Sequence, residues 1–136
     1  MNSSSNDSQN LLPSNVVFVF GSNELGIHGA GAAKFARANY GALNGCGEGL
    51  QGQSYAIPTK ASPYVSLPLQ QIKTYVERFL TFAKLNNHLT FLVTPIGCGL
   101  AGYQHNDIAP FFKDATTNVS LPPEWKEIIY ALHTSD

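Results

Sequence analysis

A mainly parallel α/β sheet with helices on both faces is what this 136-residue chain predicts, on three observations. Short, nearly continuous apolar runs rich in β-branched and aromatic residues recur along it, as in strands buried on both faces. Between them lie segments whose apolar residues fall at helical spacing, and such alternation builds parallel sheets through right-handed crossovers. Hydrophobic residues make up 43% against 12% charged, which suits a packed core in a chain of single-domain length.

Residues 1–10 (MNSSSNDSQN) carry no apolar side chain after Met1, so a disordered polar tail is expected over residues 1–13 and a single domain over 14–136. Residues 15–20 (NVVFVF) read as the first strand, ended by Gly21. A helix is expected from Gly31 to Gly41, with Phe35, Ala36 and Tyr40 at helical spacing. Residues 43–53 hold four glycines in eleven positions and read as a loop, long and bare enough to serve as a lid. Residues 54–57 form a short strand closed by Pro58. Residues 68–87 open with a proline and place Ile72, Val76, Phe79, Leu80 and Ala83 on one helical face. Residues 89–93 are the next strand. Asn106 or Asp107 caps a helix to about Thr117, with Pro110 in its first turn. Residues 119–125 read as a proline-rich connection and 127–132 as a last strand.

Several function classes are excluded at this level. A net charge of -1 and a pI near 6.4 supply no global field toward DNA or membranes. No segment approaches the ~20 apolar residues of a membrane span, and no signal peptide is evident. Cys46 and Cys98, each in a Gly-Cys-Gly triplet, read as free thiols in a reducing compartment, so a cytoplasmic monomer is expected. Neither the cysteines nor the four histidines show metal-ligand spacing, and no metal or cofactor is expected.

Ligands in parallel sheets sit beyond the carboxyl ends of the strands, which brings together three segments. The first, GSNELGIHGAGAA (residues 21–33), sets Asn23 at a strand end, where its amide can donate to and accept from a sugar hydroxyl. Its Gly29-Ala30-Gly31 leads into a helix start suited to a phosphate; a purely structural glycine turn is the alternative. It lacks the Gly-Lys-Ser/Thr of a P-loop, and GIHGAG has the wrong spacing for a dinucleotide fingerprint. The second segment, IPTKAS (57–62), places Lys60 just past a strand end between two prolines, as a solvated charge, a phosphate partner or a nucleophile. In the third, TPIGCGLAGY (94–103), glycines at 97, 99 and 102 permit positive φ and let the main chain lie against a diphosphate. Tyr103 would cover an adjoining sugar, or simply pack. Cys98 as a nucleophile would need His28 or His105 as base, and a buried small side chain is the preferred reading.

Asn23, Gly29-Ala30-Gly31, Pro58-Thr59-Lys60 and Pro95-Ile96-Gly97-Cys98-Gly99-Leu100, in this order and spacing, resemble the macrodomain family of ADP-ribose binding modules over roughly residues 15–132. The resemblance is nearest to the branch of terminal ADP-ribose protein glycohydrolases and DNA ADP-ribosyl glycohydrolase antitoxins. It implies a three-layer macrodomain-like fold and ligand contacts from Ser22, Asn23, His28, Gly29, Ala30, Gly31, Thr59, Ile96, Gly97, Cys98, Gly99, Leu100, Ala101, Gly102 and Tyr103. It implies that Lys60 is catalytic and attacks the opened distal ribose to form a Schiff base during hydrolysis of an ADP-ribosyl bond. The implied partner is ADP-ribose or an ADP-ribosylated macromolecule, DNA among them.

Two departures bear on this. Ala101 stands where the protein-glutamate glycohydrolases have an aspartate, which shifts the expectation toward the DNA-directed type. No Gly-Asp precedes Val16 to hold an adenine amino group, and Asp7 lies in the polar tail. Two alternatives therefore remain: a non-catalytic ADP-ribose or nucleotide reader, and an ADP-ribose 1″-phosphate phosphoesterase using a His or Cys98.

Overall fold

The computed structural model describes residues 11–134. Its elements run β1 (Val16–Asn23), α1 (Gly31–Asn39), β2 (Gly49–Gln51), β3 (Ser54–Ser62), β4 (Val65–Ser66), α2 (Leu69–Leu85), β5 (Thr90–Val93), α3 (His105–Ile108), a 3-10 turn (Ala109–Phe112), β6 (Val119–Ser120) and α4 (Pro123–Thr134). The sheet order is β2-β3-β1-β5-β6, with β4 pairing β3. β1 lies parallel to β3 and β5, and β5 parallel to β6, while β2 and β4 are antiparallel to β3.

β1 is central because its residues suit burial on both sides. Successive side chains of a strand point to opposite faces. Val17 and Val19 accordingly join a core with Tyr55, Ile57, Phe91 and the α2 residues Ile72, Val76, Phe79 and Ala83. Phe18 and Phe20 join Ala33, Ala36, Tyr40 and Ala56 on the other face. Each buried Val, Ile or Phe side chain among them contributes about 1.5–3 kcal/mol. The result is the expected three layers, with α1 on one face of the sheet and α2, the 3-10 turn and α4 on the other.

The structure corrects six expectations about elements. β1 does not end at Gly21 but runs on to Asn23, because Gly21, Ser22 and Asn23 stay paired with the extended β3. Residues 127–132 are helical, not a strand: Pro123 occupies a first helical turn, and Trp125, Ile128 and Ile129 face the core from α4. The last strand is Val119–Ser120, inside the expected connection. β3 does not stop at Pro58 but continues to Ser62, and the pairing with β1 shifts register between Ser22 and Asn23, next to the residue that lacks an N–H. Gly49–Gln51 forms a short antiparallel strand within the expected loop. The helix expected to reach Thr117 is only α3 and the 3-10 turn, with the Gln104 N–H donating to the Asp107 carboxylate at 3.0 Å.

The tail expected over residues 1–13 lies outside the described residues as far as Asn10, and so does Asp7. Leu12 and Pro13 are held: the Gln53 amide donates to both of their carbonyls, and the Leu12 N–H donates to the Tyr40 hydroxyl.

Candidate functional site

The carboxyl ends of β1, β3 and β5 open into a cleft of about 760 Å³. All three predicted segments line it. The first supplies Ser22, Asn23, Gly29, Ala30 and Gly31, β3 supplies Thr59 and Lys60, and the third supplies Ile96, Gly97, Cys98, Gly99, Leu100 and Ala101. Three predicted contacts are not among its lining residues: His28, Gly102 and Tyr103. Ile27, Pro63, Tyr64 and His105 line it without having been predicted as contacts.

At the start of α1, Ala30 is extended and no side chain caps the helix. Among the described residues no acceptor meets the N–H groups of Gly31, Ala32 and Ala33. Unpaired N–H groups at a helix start carry a partial positive charge that suits an anion. Asn23 lines the cleft and also serves its own loop. Its Nδ2 donates to the Ile27 carbonyl at 2.8 Å and its Oδ1 accepts from the Ile27 N–H at 3.0 Å, so the amide shapes its own loop.

The third loop is two successive turns. The Cys98 N–H donates to the Pro95 carbonyl and the Gly102 N–H to the Gly99 carbonyl, while the Tyr103 N–H closes onto the Gly97 carbonyl at 2.8 Å. Gly97 has φ +77° at the third position of the first turn, where such turns require glycine. Gly102, at φ +85°, ends the second. The N–H groups of Gly97, Gly99, Leu100 and Ala101 find no acceptor among the described residues. A Cβ on Gly97 would also lie 3.1 Å from Ile108 Cδ1, whereas one on Gly99 would meet open space. Gly97→Ala is therefore expected to lose about 1–3 kcal/mol of stability in urea denaturation, and Gly99→Ala to stay within about 0.5 kcal/mol. Equal losses at both would refute this account of the loop.

Lys60 sits on β3, in register with Asn23, and not on a loop beyond the strand end. Its Nζ donates to the Pro63 carbonyl at 2.5 Å, which holds the amine along the β3–β4 hairpin beside the cleft. Tyr103 packs against the larger core and its hydroxyl donates to the Leu67 carbonyl, so it braces the loop from behind. Burial pushes the Cys98 thiol up to about 11, reinforced by Asp107 and Glu124. Neither candidate base serves it: the His105 Nδ1 accepts from the Trp125 indole at 2.9 Å, and His28 is fully buried elsewhere. A thiolate is the reactive form, so this environment disfavours nucleophilic chemistry at Cys98.

His28 stands edge-on to Phe20, and its Nε2 lies within hydrogen-bond distance of the Cys46 carbonyl and the Gln51 Oε1. It thus ties the first loop to the glycine-rich segment. That segment, expected as a candidate lid, is packed onto the first loop. The Ser22 hydroxyl donates to the Gly47 carbonyl and the Gly45 N–H to the Gly26 carbonyl. A Cβ on Gly47 would fall 2.6 Å from the Asn23 carbonyl, so the two main chains touch directly. Charged groups fasten the outside: Arg78 of α2 pairs with Glu48, and the Tyr75 hydroxyl donates to Glu24 at 2.6 Å. That bond to Glu24, with some burial, raises the Tyr75 hydroxyl to about 12.

Among the described residues no three His, Cys, Asp or Glu side chains are placed to hold a metal ion, and no helix is long and apolar enough to cross a membrane. No family model and no curated protein matches the chain. Among solved structures it is similar to Thermosipho africanus DarTG in complex with ADP-ribose, with a TM-score of 0.58 and 16% identity. The match covers 82% of this chain and 39% of that one. The likeness bears out the macrodomain-like fold expected from the motifs.

Proposed function

We propose that this chain binds ADP-ribose, or the ADP-ribosyl group of a modified macromolecule, in the cleft, and that Lys60 cleaves the bond at C1″. The observation that carries the reading is the meeting of two acceptor-free sets of main-chain N–H groups, at the start of α1 and at Gly97, Gly99, Leu100 and Ala101, in one cleft beside a lysine. Such N–H groups only donate, so they suit the oxygens of a diphosphate. The fold shared with an ADP-ribose complex supports the same ligand.

The chemistry needs the Lys60 amine in its neutral form. Nζ bonds to C1″ as the ring C1″–O4″ bond and the bond to the acceptor break. One amine proton goes to O4″ and the other leaves with the acceptor, so that C1″ of the opened ribose and Nζ are joined through an imine. Water then hydrolyses the imine, which returns the amine and free ADP-ribose. Ala101 at the loop end leaves no carboxylate beside the acceptor, which favours an ADP-ribosylated nucleic acid over a glutamate ester.

One observation favours a second reading, a reader without turnover: the cleft residues described here include no Asp or Glu to move a proton for the leaving group. The phosphoesterase reading is weakened by the surroundings of Cys98 and by the burial of His28.

Calorimetric titration with ADP-ribose, AMP and ADP tests the binding. Saturable heat is expected, strongest for ADP-ribose and weakest for AMP, which lacks the diphosphate. Absence of heat with all three would refute the reading.

A further inference from the structure

We infer that the cleft does not select among nucleobases: it grips a diphosphate through the main chain and takes the base on an apolar rim. This rests on the reading just given and sharpens its substrate class. A base is identified by side chains that match the pair of donor and acceptor groups on its edge. Apart from the Lys60 amine, which serves C1″, and the Nε2 side of His105, the polar side chains in this cleft are bonded to the protein instead.

Ser22 donates to the Gly47 carbonyl, Thr94 Oγ1 to the Val19 carbonyl at 2.7 Å, and Thr59 Oγ1 to the Ser22 carbonyl at 3.4 Å. Both ends of the Asn23 amide are held by Ile27. Lys60 donates to the Pro63 carbonyl, and the His105 Nδ1 is occupied by the Trp125 indole. Among the described lining residues there is no carboxylate to accept from an exocyclic amino group.

The rim has a different character. Ile27, Tyr64 and Leu100 border the cleft while 48%, 93% and 69% exposed. Aliphatic carbons and an aromatic ring accept any base through its π-face, so contact there is indifferent to sequence. The lone Tyr64 hydroxyl donates or accepts with equal ease and reads no edge.

The test is calorimetry on the full chain with ADP, GDP, CDP and UDP in one buffer, with ADP-ribose as reference. Comparison within ring size removes the difference in stacking between purines and pyrimidines. ADP and GDP are expected to bind within about fivefold of each other, and CDP and UDP likewise, since one well-made base-edge pair discriminates by about fivefold or more. A larger ratio within either pair overturns the inference and leaves the diphosphate reading standing. Binding of ADP-ribose with none of the four also overturns it, because the grip would then lie on the distal ribose. Failure of all five ligands overturns the inference together with the reading beneath it.

Discussion

Lys60→Ala is expected to abolish turnover and to spare binding. The proposed imine cannot form without a primary amine, so release of ADP-ribose from an ADP-ribosylated oligonucleotide should fall by about 10³-fold or more, which is some 4 kcal/mol of barrier. Calorimetry should give an affinity for ADP-ribose within about fivefold of the parent, because the main-chain donors carry the diphosphate. Lys60→Arg is the sharper variant. It keeps a cation beside Pro63 yet offers no amine that forms an imine at neutral pH, and it should fail equally. Normal release by either variant would remove the lysine from the chemistry. Loss of binding along with release would make it a phosphate ligand instead.

Trp125→Ala should be the most damaging single truncation in the core. The indole is fully buried, packs on Phe112 with ring centroids 5.2 Å apart, and donates to His105 at the cleft edge. Removing a buried aromatic of this size costs about 3–5 kcal/mol, which in a chain of this length lowers Tm by on the order of 10–20 °C. Far-ultraviolet circular dichroism should follow the melt, since Trp125 is the sole tryptophan and its own fluorescence disappears with it. A shift of under about 3 °C would mean that α4 is not fastened to the sheet as described.

That helix marks where sequence reasoning failed. Residues 127–132 alone look like a strand, and helical spacing emerges only when Trp125 is counted with Ile128 and Ile129 and Pro123 is taken as a start. Pro58 misled in the opposite sense. A proline usually ends a central strand, but here the ladder shifts register beside it and β3 carries on to Lys60 and Ser62. The β1 segment up to Phe20 was legible because a continuous apolar run matches burial on both faces, and α2 because its helical period matches its buried face. The end of β1 at Asn23 was not legible, since it follows the length of β3.

In the site, positive φ leaves a trace in composition, and this is why the turns at Gly97 and Gly102 could be read. Tyr64 left no such trace. Its place on the rim depends on a hairpin that forms only because β3 runs past Pro58. His28 misled by adjacency to Gly29, since its ring turns under Phe20 and away from the cleft.

The strand order also sets a timetable for synthesis. β1 leaves the ribosome before its partners, yet it stands in the middle of the sheet: Val16 pairs with Thr90, and Phe18 with both Ser54 and Leu92. Until residue 93 has emerged, the nascent chain carries a run of valines and phenylalanines with one edge unpaired, a segment of the kind that invites aggregation. Slowing translation before β5 should therefore lower the soluble yield more than slowing it after β6.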